Sequence, residues 1–109
     1  MVRKLKFIVD GMIIKPDPEC DFNNLVPGSE EYLQAEFSFS KDWYNYVKVA
    51  AFYSVMGNEF PPKQIKEGVC MIPKEALARR EFQIQIVGKK GLTKKKTNSI
   101  TITQNGGVA

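Results

Sequence analysis

Five lysines crowd into one short stretch of this chain: Lys89, Lys90, Lys94, Lys95 and Lys96. Clustered cations of this kind grip polyanions, nucleic acid among them. Residues 88–97 contain no arginine and no aromatic residue, however. The stretch therefore brings neither a bidentate phosphate fork nor a stacking platform of its own. The plainer reading is a solvated loop tip whose charge discourages strand edges from pairing with other chains. A second cluster is aromatic: Trp43, Tyr44 and Tyr46 stand together around the single tryptophan. Such a group serves either as a patch for a partner protein or, through Trp43, as a plug for one end of a core. A third cluster is acidic. Asp17, Glu19 and Asp21 alternate and could supply oxygen ligands to Ca²⁺, but the glycine and closing glutamate of a calcium loop are missing, so a solvated acidic loop is expected.

The chain has no histidine. That removes the commonest general base and the commonest metal ligand, and with them the Ser-His-Asp and Cys-His arrangements. Cys20 and Cys70 are far apart and have no partners at zinc spacing. Two free thiols are expected, with a single disulfide as the alternative. Gly88-Lys89-Lys90-Gly91 lacks the spacing of a phosphate-binding loop. The expectation is a protein that is not an enzyme and holds no cofactor and no metal.

The elements that would carry these clusters are strands. Leu33 to Ser40, Glu81 to Ile86 and Ser99 to Thr103 alternate apolar and polar residues, the period of a half-buried strand. Residues 4–9 alternate too, with Leu5, Phe7 and Val9 on one face. Asp10-Gly11 then signals a turn, and Met12-Ile13-Ile14 reads as the second half of a split first strand. Pro16 and Pro18 exclude a central strand in the long connection over residues 15–30, which Phe22, Leu25 and Val26 would pin to the body. Residues 46–55 form a third strand that is apolar on nearly both faces, and 69–72 a short one. Residues 73–78 are the one helical candidate, a single turn opened by Pro73. The lysine stretch would be an exposed, mobile loop between the last two strands.

About seven strands with turns roughly every ten residues predict an all-β, antiparallel, immunoglobulin-like sandwich with one short helical turn; a small barrel is the alternative. The inward set would be Leu5, Phe7, Val9, Leu33, Ala35, Phe37, Phe39, Val47, Val49, Ala51, Val69, Met71, Phe82, Ile84, Ile86, Ile100 and Ile102. At 109 residues and 43% hydrophobic content the chain suits one domain, residues 1–104, followed by a flexible tail over 105–109. The formal net charge of +4 comes from 16 basic and 12 acidic residues, and setting the five clustered lysines aside leaves 11 against 12. The basicity is local. The amino terminus is basic without the apolar run of a signal peptide, and no stretch is long enough to span a membrane.

A family pattern joins these pieces: residues 6–11, 32–40, Asp42-Trp43, 48–52, 69–75, 82–88 and 97–102 in that order. It resembles the small immunoglobulin-like domains of virion proteins from phages and prophages of Gram-positive bacteria, which occur in tail, baseplate or fibre proteins. The resemblance implies a non-enzymatic structural or decoration protein of a phage virion, assembled in the host cytoplasm. Its partners would be other virion proteins, often in a symmetric assembly, or a surface glycan of the host, with no membrane. Partner-binding candidates are Lys89, Lys90, Lys94, Lys95, Lys96, Trp43, Tyr44 and Tyr46. The alternative function is a small phage-encoded intracellular inhibitor that binds a host defence or nucleic-acid-handling protein through the basic loop.

Overall fold

In the computed structural model, residues 3–22 and 33–104 are described. The expectations for Leu25, Val26 and the tail 105–109 lie outside them. The elements in chain order are β1 (Arg3–Asp10), β2 (Ile13–Pro16), β3 (Leu33–Phe39), a 3-10 turn (Lys41–Trp43), β4 (Val47–Ser54), β5 (Lys63–Gln64), β6 (Val69–Met71), the helical turn α1 (Lys74–Leu77), β7 (Glu81–Lys90), β8 (Thr93–Lys96) and β9 (Ile100–Thr103). The protein is an all-β sandwich of two sheets. One has the order β2-β1-β3-β6. In the other, β5-β4-β7 is continued by β8 and β9, which pair with opposite halves of the long β7.

Strict alternation placed the inward faces of three strands correctly. Leu5, Phe7 and Val9 of β1, Leu33, Ala35 and Phe37 of β3, and Phe82, Ile84 and Ile86 of β7 are all buried, as is Ile102 of β9. Trp43, Phe52, Ile14, Ile72 and Leu77 are the other large side chains that fill the core with them.

Other expectations are corrected. The described residues form nine strands rather than about seven. Met12 to Ile14 do not continue β1; the chain turns at Gly11 and β2 runs back antiparallel along β1. The lysine stretch is not a loop but the paired end of β7 with β8. The pairing of β1 with β3 is parallel, whereas the other strand pairs are antiparallel.

In β4 the expected face is inverted. Ala50 and Phe52 are buried, while Val49 and Ala51 are only half-buried and Val47 is 56% exposed. Both faces of β4 are apolar, so periodicity alone does not choose between them. The larger residue decides: Phe52 lies opposite Ile84 and Ala50 opposite Ile86, over the inward side of β7. Burying a phenylalanine is worth about 2–3 kcal/mol. In β6, Cys70 faces in opposite Ala35, and Val69 and Met71 are half-buried. Three residues are too few to show a period. Phe39 and Ile100, also expected inside, are half-buried and pack against the margin of the core.

The break between β8 and β9 is where the sheets are tied together. Thr97 stays bonded to β7: its backbone N–H donates to the Ile86 carbonyl at 3.0 Å, and its hydroxyl accepts from the Ile86 N–H at 3.0 Å. Asn98 crosses to the other sheet. Its Oδ1 accepts from the Ile14 N–H at 2.8 Å, its Nδ2 donates to the Ile14 carbonyl at 3.3 Å, and its own N–H donates to the Met12 carbonyl at 3.2 Å. One asparagine side chain thus takes the place of a neighbouring strand at the edge of β2 and satisfies groups that the sheet leaves open.

Candidate interaction surface on the lysine hairpin

The register of the β7–β8 hairpin decides what its lysines do. Val87 faces Lys96, Gly88 faces Lys95, Lys89 faces Lys94 and Lys90 faces Thr93. Directly opposed residues share a face, and successive residues alternate. Lys90 and Lys95 therefore turn to one side of the hairpin, and Lys89, Lys94 and Lys96 to the other. The turn is made at Gly91, whose φ of +57° suits glycine. The adjacent Leu92 is fully exposed.

The first side is the end of the sandwich. Trp43 is 0% exposed, so it plugs the core and offers nothing to a partner. Its indole N–H donates to the Gly11 carbonyl at 2.7 Å. Gly88 lies flat against its ring: a Cβ there would stand 2.5 Å from Trp43 Cζ3. Lys95 closes the plug. Its ammonium lies 5.2 Å from the centroid of Trp43 and 4.7 Å from that of Tyr46, and it donates to the Asp42 carbonyl at 2.6 Å and the Asp42 carboxylate at 3.3 Å. Lys90 sits 5.9 Å from the Tyr46 centroid. The Ser40 hydroxyl donates to the Asp42 carboxylate and accepts from the Gly11 N–H at 3.0 Å. That Ser40 bond, with Lys95 adding to it, holds the Asp42 carboxyl below its ordinary value of 3.8.

Two groups that stand apart in the sequence, the lysine cluster and the aromatic corner, thus meet at Lys95. Rings continue inward from Tyr46 through Trp43, Phe39, Phe37 and Phe7 to Phe22, each 5.3–6.0 Å from the next. Tyr44 stands outside this row and is 65% exposed. Sequence reasoning missed Asp42 and Gly88 as members of this cluster. The turn pair Asp42-Trp43 and the glycine inside an otherwise regular strand were the available signals.

The second side faces solvent. Two rows cross the sheet there: Val47, Lys89 and Lys94 in one; Gln64, Val49, Val87 and Lys96 in the other. Each row passes from uncharged residues to lysine. The valines floor an open groove of about 420 Å³, with Lys89 and Lys94 on its wall. Among the described residues, Lys89, Lys94 and Lys96 make no ion pair, in contrast to Lys95. Lys89 and Lys94 stand directly opposite each other, an arrangement of like charges that weakens a sheet.

The remaining candidates are accounted for locally. The Asp17 carboxylate accepts from the Glu19 N–H at 2.9 Å, and no group of three or more metal-ligating side chains occurs among the described residues. Cys20 and Cys70 are free thiols. Cys20 lies along β1, its sulfur accepting from the Lys6 N–H at 3.3 Å, whereas burial pushes the Cys70 thiol up to about 12. No helix among the described residues is long and apolar enough to cross a membrane. No protein-family model, curated protein or solved structure matches the chain.

Proposed function

We propose that this chain is a non-enzymatic structural or decoration protein of a phage virion that works by binding other virion proteins. Its resemblance to the small sandwich domains of tail, baseplate and fibre proteins motivates the virion setting. The observation that carries the binding role is the outer face of β4, β7 and β8. There Val47, 56% exposed, lies with Val49 and Val87 beside three lysines that make no ion pair among the described residues, while Gly88 and Lys95 on the opposite face of the same hairpin pack on Trp43 and Tyr46. A hairpin anchored on one side and open on the other presents its outer side chains on a rigid support, and less freedom is lost on docking. Tyr44 and Leu92, both strongly exposed, add apolar area at the same end.

Quantitative mass spectrometry of purified particles of the phage or prophage that encodes the chain tests this reading. Many copies per particle are expected. Absence from particles, with presence in infected cytoplasm, would overturn it. That result would favour the second reading, an intracellular inhibitor that uses the same uncompensated lysines against an acidic surface or nucleic-acid channel of a host protein.

A further inference from the structure

We infer that the outer face of the hairpin receives an acidic protein segment, whose carboxylates pair with Lys89, Lys94 and Lys96 while its aliphatic side chains fill the groove over Val47, Val49 and Val87. The inference rests on the reading of this face as the partner-binding surface and names the chemistry of what binds there.

The lysine at the centre of the opposite face, Lys95, is compensated by Asp42 and two aromatic rings. The three on the outer face have no carboxylate of their own among the described residues. The sheet carries the opposed pair Lys89 and Lys94 at a cost in its own stability. A partner that places a carboxylate between those two ammonium groups removes that repulsion, so the pair favours the bound state over the free one. The valines in the same rows set a second requirement. A partner that covers them must bring apolar surface in register with its charges, and the burial then supplies affinity while the charges select partner and orientation.

The same features argue against the other occupants. A phosphate backbone has no apolar edge to lay on Val47, Val49 and Val87. The groove is lined by no arginine and no aromatic ring for bidentate grip or base stacking. Trp43 and Tyr46 are engaged on the far side of the hairpin. A second copy docking the same face by a two-fold axis would add three more lysines to the interface and no carboxylate to meet them.

The test is an NMR titration of the full chain, labelled with ¹⁵N, with a short peptide that alternates glutamate and valine. Parallel titrations use the same peptide with lysine for glutamate, and a single-stranded thymidine oligonucleotide. The expected result is saturable shifts confined to Val47, Val49, residues 87–91, Lys94 and Lys96 with the acidic peptide alone. Affinity should fall about tenfold or more in the Lys89→Glu/Lys94→Glu double variant and be unchanged in Lys15→Glu on β2, with all three proteins equally folded by their spectra. Shifts with the oligonucleotide in place of the peptide would overturn the inference in favour of a phosphate-binding face. Concentration-dependent shifts of the same residues without ligand would overturn it in favour of self-association. Absence of shifts with the acidic peptide, or shifts elsewhere on the chain, would also overturn it. The titration uses the isolated chain, so its failure leaves a positive particle measurement standing. Absence from particles, in turn, leaves peptide binding standing.

Discussion

Gly88→Ala is the sharpest test of the sandwich end described above. A Cβ at this position meets three ring atoms at once: Trp43 Cζ3 at 2.5 Å, Trp43 Cε3 at 3.0 Å and Tyr46 Cδ2 at 3.2 Å. None can retreat easily. Trp43 is fully buried and tied to the Gly11 carbonyl, and Tyr46 is held between Trp43 and Lys95. Forcing an extra carbon into a filled core costs about 1–3 kcal/mol, and a clash with two fixed rings belongs near the top of that range. Alanine returns about 0.5–1 kcal/mol, because glycine is poorly suited to a strand interior. The net expectation is a loss of about 2 kcal/mol, which for a domain of this size lowers the melting temperature by roughly 8–16 °C. The assay is thermal unfolding followed by the fluorescence of the single tryptophan, with near-UV circular dichroism reporting the packing of its ring. A Gly88→Ala variant as stable as the parent, or more stable, would refute the contact between Gly88 and Trp43 and with it the anchoring of the hairpin. Gly91→Ala, in open space at positive φ, is the control and should cost only about 1 kcal/mol.

Other substitutions probe the remaining supports. Asn98→Ala removes both side-chain bonds to Ile14 and should cost about 1–3 kcal/mol in urea unfolding, since Ile14 is buried and its N–H is left without its partner. Phe52→Ala should cost about 3–5 kcal/mol while Val47→Ser stays within about 0.5 kcal/mol; the reverse order would mean that β4 faces the other way. Asp42 has its carboxyl held below 3.8 in the folded protein by the Ser40 hydroxyl first. Because the folded value is the lower one, its contribution is present at neutral pH and is lost as the pH falls through that value, so Asp42→Asn should flatten the acid limb of a stability-against-pH curve. With Cys70 raised to about 12, a thiol reagent at mildly alkaline pH should modify Cys20 alone in the native protein and both cysteines after unfolding, as read by intact mass.

How much of this was legible in the sequence depended on whether a strand's two faces differ in kind. Apart from Ile8 and Val87 on the outward side, β1, β3 and β7 set Leu, Phe, Val, Ile and Ala against Lys, Gln, Glu and Ser, so alternation marked their inward sides and the sandwich could be read directly. β4 sets Val47, Val49 and Ala51 against Ala50 and Phe52, and only pairing with β7 chooses between them. The hairpin read as a loop because its alternation is between lysine and lysine: Lys89 and Lys90 go to opposite faces but carry the same charge, and a hydrophobic period cannot register that. The aromatic corner and the lysine cluster were each visible, but not their meeting. Lys95 and Asp42 lie 53 residues apart, and the bond between them exists only once β7 has paired with β4 and β8 and placed Gly88 on Trp43. Asn98 gave no local sign either, because its partners in β2 are 84 residues away.

The central claim is that the outer face of this hairpin is where a virion partner docks. Zero-length carbodiimide cross-linking of purified particles, read by mass spectrometry, tests it most directly, because this chemistry joins lysine ammonium groups only to carboxylates in contact with them. Cross-links are expected from Lys89, Lys94 or Lys96 to aspartate or glutamate side chains of another virion protein. None is expected from Lys95 except to Asp42 of its own chain. Particles that contain the chain but yield intermolecular cross-links only from lysines elsewhere on its surface, or particles that lack the chain altogether, would contradict it.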